Sequence, residues 1–527
     1  MSASLKLGTG GKWGVKAGSL LAYSDTDGKN KPLPFDFTRA SSATVVDENG
    51  LVNYAEIIGS ELVTNGTFAT SDLSDFSTTY ATHAIVSEEL KTTLNTANGY
   101  GFSTVSFTAV VGRSYRIQVD AQQGTADTTQ IKQQAGITLT SSSATTGSWS
   151  FDGVGVATAT TCVVRLQAWG ANADYSIFDN VSVKEVTRDN LPRIDYTGGA
   201  GPHLLLEPQR INLIITSATG NYGNSPGSEI LAIAPDGENT AIRPVPDNPS
   251  DRYQETIPAG TYSSGDEVTY SWYRKRFSTP AIGSYVGDLQ VGSLINCTKV
   301  GVTTEIASSI NGYDRFSATL SITDGALQSY LRFYFGNVIG TGNSSVAYWG
   351  HQLEVGSYAT SYIPTSGTTV TRIAETCSQT GISNSINSTE GVLFVEMAAL
   401  SNDLTYRILS LSDGTDNERI YIQYTDTTNQ VSVVVKVGGS TQANIQHTLT
   451  DETVFSKMAF KWKANDFAFW IDGVEVGADT SGSVPSGLNR LALDRQLNTN
   501  TFYGKVKQLQ VYKTALTDAE LTALTTL

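Results

Sequence analysis

Residues 467–476, FAFWIDGVEV, leave an extended chain almost no alternative. Phe467 and Phe469 fall on one face of a strand and Trp470 on the other. Asp472-Gly473 is the dipeptide favoured by a two-residue hairpin turn, because both central positions need a left-handed backbone. The same grammar recurs along the chain. SYRIQVDAQ (114–122), TCVVRLQAWG (161–170), IFDNVSVKEV (177–186), RIYIQYT (419–425) and QVSVVVKVG (430–438) alternate or run apolar, and turns rich in Gly, Ser, Thr and Asn separate them. Charged residues make up 16% of the chain, against about 25% in an average soluble protein, while Tyr numbers 24 and Met 3. That balance favours strands and turns over helices, and the fold class expected is all-β. A single short helix is predicted at TDAELTALTTL, where Thr517 and Glu520 form a capping box.

A chain of 527 residues exceeds what one core can serve. Residues 59–187 read as one module, opened by ELVTNGTF (61–68) and closed by IFDNVSVKEV. Residues 205–375 repeat that layout, SSGDEVTYSWYRK (263–275) standing where VVGRSYRIQVDAQ (110–122) stands in the first. Residues 376–384 read as a linker and 385–527 as a third module, with strands at GVLFVEMAAL (391–400) and VFSKMAFKWKA (454–464). The expected architecture is multidomain: two jelly-roll modules, one of them inserted, and a further β-sandwich.

The net charge of −15, from 35 basic and 50 acidic residues, would repel a nucleic-acid backbone, and no Lys/Arg run with interleaved aromatics offsets it. No apolar stretch reaches the roughly 18 residues that span a bilayer, so no membrane insertion is expected. The opening MSASLKLGTGGKWGVKAGSL lacks the apolar core of a secretory signal. Cys162, Cys297 and Cys377 are odd in number and far apart, which argues against a disulfide framework.

LPFDFTRASSATVVDENGLVN (33–53), NLPRIDYTGGAGPHLLLEPQRINLI (190–214) and YWGHQLEVGSYATSYIPTSGTTVTRIAE (348–375) resemble segments of a group of bacteriophage tail and virion-surface proteins that carry carbohydrate-binding-module-like jelly rolls. In that group the first two segments run on from each other; here an insert separates Asn53 from Asn190, and its ends resemble the terminal strands of another carbohydrate-binding jelly roll. FAFWIDGVEV and YGKVKQLQVYKTALTDAELTAL resemble a laminin-G or concanavalin-like sandwich. The resemblance implies residues 1–58, continued at 188–204, as a virion-attachment segment. It also implies host surface glycans and other virion proteins as partners, and a homo-oligomer with three-fold symmetry. A virion protein synthesised in the host bacterial cytoplasm and released by lysis reconciles the surface-like composition with the missing leader and unpaired cysteines.

A glycosidase needs two carboxylates about 5–9 Å apart. Glu390 and Glu396 would face the same way on one strand, but the acidic residue that concanavalin-like glycosidases carry between such a pair is absent. His83, His203, His351 and His447 are scattered, with no nucleophile elbow and no zinc spacing. The turns SDTDGKN (24–30) and LSDGTDNE (411–418) invite a structural calcium ion, which jelly rolls of this family often hold; no ligands are assigned. Aromatics remain. Sugar C–H faces stack on rings while amides and carboxylates fix the hydroxyls. The candidates are Trp169 with Asn172 and Asp174, then Trp272, Tyr273, Trp349 and His351, and Trp470, each weighed against an ordinary place in the core, as is Trp462. The function expected is a phage tail fibre or receptor-binding protein that adheres to glycans without catalysis. A head fibre, capsid decoration or tail adaptor without glycan affinity is the alternative, and a polysaccharide depolymerase the third.

Overall fold

The structure, a computed structural model, describes residues 2–25, 29–95, 99–199, 201–218, 228–245, 252–257, 263–277, 289–290, 297–323, 329–334, 346–496 and 499–527. The protein is all-β and built of several sandwiches. It divides into two compact units, residues 56–188 and a discontinuous one of residues 1–55 with 189–527.

The 56–188 unit is a sandwich of two antiparallel sheets. The smaller sheet holds strands β1 (Phe76–Thr79), β2 (Tyr100–Thr108), β3 (Thr128–Ala135), β4 (Ser142–Ala144) and β5 (Thr161–Trp169), in the order β4-β3-β5-β2-β1. The larger has Tyr175–Thr187 and Ser114–Gln123 at its centre. Alternate residues point inward: Val105, Ile131, Val164 and Leu166 meet Ile117, Val119, Phe178 and Val183 in one core. The unit's first strand, Ile57–Glu61, pairs with its last, Ile57 opposite Thr187 and Ile58 opposite Val186. The chain therefore enters and leaves at one end of the unit.

The larger unit has two cores. In one, a six-stranded sheet carries Glu267–Arg276 and Val346–Val355 at its centre, beside a three-stranded sheet of Arg252–Ile257, Ser329–Tyr334 and Leu289–Gln290. In the other, strands from 376–512 form a sandwich closed by the helix Asp518–Thr525, whose capping box is in place: Thr517 accepts from the Glu520 amide and the Glu520 carboxylate from the Thr517 amide. The 467–476 hairpin turns at Asp472-Gly473, both left-handed (φ 47° and 86°).

Strands from residues 1–58 and 188–204 pack into the C-terminal sandwich. Leu5–Leu7 and His203–Leu206 pair side by side along one edge of Gly504–Tyr512, Leu5 opposite Val511 and Leu204 opposite Val506. Asn30–Thr38 pairs with Thr376–Gln379. Leu5, Phe35, Phe37, Leu204 and Leu206 thereby enter the same core as Leu393, Phe460, Trp462 and Leu509. The reason is physical: strands of three or four residues bury nothing alone, and the 504–512 strand would otherwise leave an open edge. The hairpin Thr44–Val46/Val52–Tyr54 goes elsewhere, its Val46 and Val52 packing with Tyr273, Trp349 and Tyr362.

These segments converge on a buried ionic cluster. Arg193 bonds Glu375 through Nε (2.8 Å) and Nη2 (2.5 Å) and reaches Glu207 through Nη1 (2.8 Å). Arg39 donates to Glu375 (2.7 Å) and Arg372 to Glu207 (2.8 Å). The Ser361 amide and hydroxyl donate to Glu207 (2.7 and 2.6 Å). The surplus guanidinium charge is met by the carbonyls of Leu191, Ser41, Thr44 and Pro208. Burial alone would raise the pKa of Glu207, but Arg372 and Arg193, with the Ser361 hydrogen bonds, outweigh it and hold it below the ordinary value. Glu375 is likewise held down, by Arg193 and Arg39 against burial.

Two outcomes follow from this arrangement. Residues 56–188 expressed alone should melt cooperatively, and a chain joining Ala55 directly to Asp189 should stay folded; aggregation of both would contradict the paired ends. Glu375→Gln should cost about 3–5 kcal/mol, because it strands buried cations, read as the denaturant midpoint of the larger unit. Both folded carboxylate pKa values are depressed. The cluster's contribution is therefore complete above the ordinary value of 4.5 and lost as pH falls below it, a dependence that Glu375→Gln should weaken.

Candidate functional site

The outer face of the smaller sheet in the 56–188 unit is where the rings gather. Because Val105, Val164 and Ile131 point inward, Tyr100 and Phe102 on β2, Gln167 and Trp169 on β5 and Thr128 and Gln130 on β3 point the other way. The register makes rows of them: Thr128, Trp169 and Tyr100 lie side by side, and Gln130, Gln167 and Phe102 form the next row. Tyr100 meets Trp169 at 5.2 Å between centroids and stacks near-parallel to Phe102 at 6.5 Å; Tyr80 packs edge-on to Tyr100 at 5.9 Å. Trp169 is 41% exposed and Tyr80 47%. Gly101 between the two β2 rings allows this packing, since a Cβ there would stand 2.3 Å from the Tyr80 carbonyl oxygen.

Polar groups accompany the rings. Gln167 is buried, and its Oε1 has no hydrogen-bond partner beside Phe102. The Arg165 guanidinium lies over the Phe102 ring at 4.1 Å. A shallow cleft of about 470 Å³ opens next to Trp169, lined also by Gly99, Asp127, Thr128, Gln130 and Gly170. A stack of rings exposed at Trp169 and Tyr80, and flanked by amides and hydroxyls, suits the apolar face and hydroxyl rim of a sugar.

Of the residues singled out in the sequence, Trp169 is on this face. Asn172 is exposed in the turn that follows. Asp174 is spent on that turn, its Oδ2 accepting from the Ala171 amide at 2.7 Å. The other candidates are core residues. Trp272 and Tyr273 lie in Glu267–Arg276 and are buried on its two faces. Trp349 packs on Tyr362 at 4.5 Å and donates to Thr240. His351 shares a 2.7 Å hydrogen bond with the Tyr270 hydroxyl, and burial pushes its pKa down to about 3, which keeps it neutral. Trp470 does face away from Phe467 and Phe469, yet Leu521 of the C-terminal helix and Leu516 just before it cover it. None of these five presents a ring to solvent, so the platform expected on them is not there. Trp462 is core as well.

Glu390 pairs with Lys463 (3.1 Å), and Glu396 with Lys507 (3.2 Å) and Gln508 (2.9 Å). In the 411–418 turn Asp413 caps Thr415, Asp416 pairs with Arg419 and Arg495, and Glu418 accepts from the Gly438 and Ser486 amides. The 24–30 turn lies partly outside the described residues. Among the described residues no group of His, Cys, Asp or Glu is disposed to hold a metal ion, and no helix is long and apolar enough to cross a membrane.

Among the described residues two other clefts stand out. One of about 660 Å³ in the larger unit is bordered by Arg315, His203, Asp195 and Lys505, but its Tyr273 and Tyr362 rings are buried and packed edge-on. A polar groove of about 460 Å³ runs over Tyr421, Gln423, Asn444 and Gln446 on the outside of the C-terminal sandwich, with Tyr406 exposed at its border.

Comparison with known proteins places the C-terminal part. Residues 393–522 match the concanavalin A-like lectin/glucanases superfamily, so this sandwich is of the laminin-G/concanavalin type. Solved structures with detectable similarity include the CBM40 module of a Ruminococcus gnavus IT-sialidase, 17% identical over 26% of this chain and 84% of that one, TM-score 0.24. The tandem CBM22-1–CBM22-2 domain of Paenibacillus barcinonensis Xyn10C is 11% identical over 60% of this chain and 100% of that one, TM-score 0.21. No curated protein matches.

The contrast between the tryptophans is measurable. Trp272→Ala should cost about 3–5 kcal/mol, as truncation of a buried Trp does, whereas Trp169→Ala should change stability by no more than about 0.5 kcal/mol. Separate melting transitions of the two units would report each.

Proposed function

We propose that this protein is a glycan-binding adhesin that works without turnover, and that the outer face of the smaller sheet in the 56–188 unit is its reader. The observation that carries the reading is the Trp169–Tyr100–Phe102 stack, exposed at Trp169 and at the flanking Tyr80 and backed by the buried Phe102 and Gln167. The lectin-type C-terminal sandwich is consistent with the same class of ligand. The resemblance of residues 33–53, 190–214 and 348–375 to phage virion-surface proteins supports display on a particle, at a tail tip or over a capsid. Catalysis has no support from Glu390 or Glu396, whose carboxylates are ion-paired.

A shallow platform buries little area and must order a flexible sugar, so a single site binds weakly. Useful adhesion then comes from copies, since joining sites multiplies avidity by roughly 10²–10⁴ without new contacts. Glycan arrays probed with the multimerised full-length protein should show binding that Trp169→Ala reduces by about tenfold or more, as loss of a hot-spot Trp does, with melting unchanged. Binding unaffected by Trp169→Ala would remove this face from the account. Release of reducing ends from any bound polysaccharide would overturn the non-catalytic part. Antibody labelling of purified particles tests the virion assignment.

A further inference from the structure

The row of side chains beyond the rings says which glycans the face should prefer. Lys132 on β3 stands directly opposite Arg165 on β5, and Thr104 on β2 and Ser77 on β1 complete the row. Like charges directly opposite in an antiparallel pair repel, and such pairs are destabilising unless something neutralises them. Among the described residues no carboxylate pairs with either. The adjoining row is Ser143, Gln130, Gln167, Phe102 and Thr79, and beyond Thr104 and Arg165 lie Ser106 and Val163, all uncharged.

The unit's other cations are accounted for. Arg113, Arg116, Lys184 and Arg188 each have a carboxylate partner, and Lys91 sits over the Tyr175 ring. Among the described residues Lys132 and Arg165 have none, in a chain whose net charge is −15. Arg165 spends its Nε on Gln134 and its flat face on Phe102, which fixes the guanidinium and leaves both Nη groups as open donors. Of the acidic residues near the face, Asp75 beside Ser106 accepts from the Thr64 amide, and Asp127 and Asp174 belong to the Trp169 end, four residues along β5. That is a distance of roughly 13 Å along an extended strand. The face is thus polarised: exposed rings at one end and two cations without a carboxylate partner at the other.

We infer that the ligand is an anionic oligosaccharide, its uncharged rings on Trp169 and Tyr100 and a carboxylate or sulfate group between Lys132 and Arg165. This rests on the glycan-binding reading of the same face. The fixed guanidinium offers the paired donors that match such an oxyanion, and Lys132 adds a mobile charge. The two anion chemistries share these contacts.

The test uses the full-length chain and two matched pairs of probes: oligogalacturonate against its methyl ester, and dextran sulfate against dextran. At least one acidic probe should bind about tenfold or more tighter than its neutral counterpart, the yield of one or two charge-assisted hydrogen bonds. That advantage should shrink with rising salt and vanish in Lys132→Gln/Arg165→Gln, while Trp169→Ala weakens acidic and neutral probes alike. Which pair shows the preference tells carboxylate from sulfate. Equal binding of acidic and neutral probes, still dependent on Trp169, would overturn the anionic preference and leave the adhesin standing. Binding of neither pair would overturn both. Salt dependence on the unaltered protein decides the matter should the double variant not fold.

Discussion

Two carboxylates hold the larger unit together. Glu375 and Glu207 sit among Arg39, Arg193, Arg372 and Ser361, and these residues come from the end of the 30–38 strand, the 193–195 and 203–206 strands, and the 357–375 connection. Each segment is too short or too irregular to bury an independent core. A fully desolvated charge tolerates almost no displacement from its partner, so the cluster fixes segments that hydrophobic contact alone would let slide. Breaking one member costs far more than a surface ion pair would, because the remaining charges cannot be rehydrated without opening the fold.

The cluster also explains why the N-terminal text and the C-terminal sandwich form one body. Leu5–Leu7 and Leu204–Leu206 close the edge of 504–512, and their leucines share a core with Leu393 and Leu509. Glu207 lies at the exit of the 203–206 strand, Arg193 opens the 193–195 strand paired with it, and Arg39 follows the 30–38 strand. Against that frame the 56–188 unit is self-sufficient: its own core, its own two sheets, and first and last strands that pair. A face on such a unit can vary its side chains without touching the ionic keystone.

Much of this was legible in the amino-acid order. Period-two alternation and Gly/Ser/Thr turns announced an all-β chain, Asp472-Gly473 a hairpin, and Thr517 with Glu520 the one capped helix, because each depends on neighbours a few residues away. The text that carries the family resemblance includes Arg39, Arg193, Glu207, Arg372 and Glu375. The motif was visible as a string, but its meaning as one buried cluster required residues 39 and 375 to meet, which no local pattern states.

The site divides in the same way. Trp169 could be named from sequence, and so, by alternation in YGF and LQAW, could the fact that Tyr100 pairs in parity with Phe102, and Gln167 with Trp169. That these strands are neighbours in a register setting Tyr100 beside Trp169 and Lys132 beside Arg165 is a tertiary result. The same holds for the tryptophans that turned inward. Alternation put Trp470 opposite Phe467 and Phe469, but whether that second face meets water or a helix depends on where residues 518–525 fold back. Sequence by itself determined which side chains share a face of a strand, because that is set by the backbone's own pleat. Only tertiary structure decided which faces are covered, because burial is a property of what packs against a strand rather than of the strand.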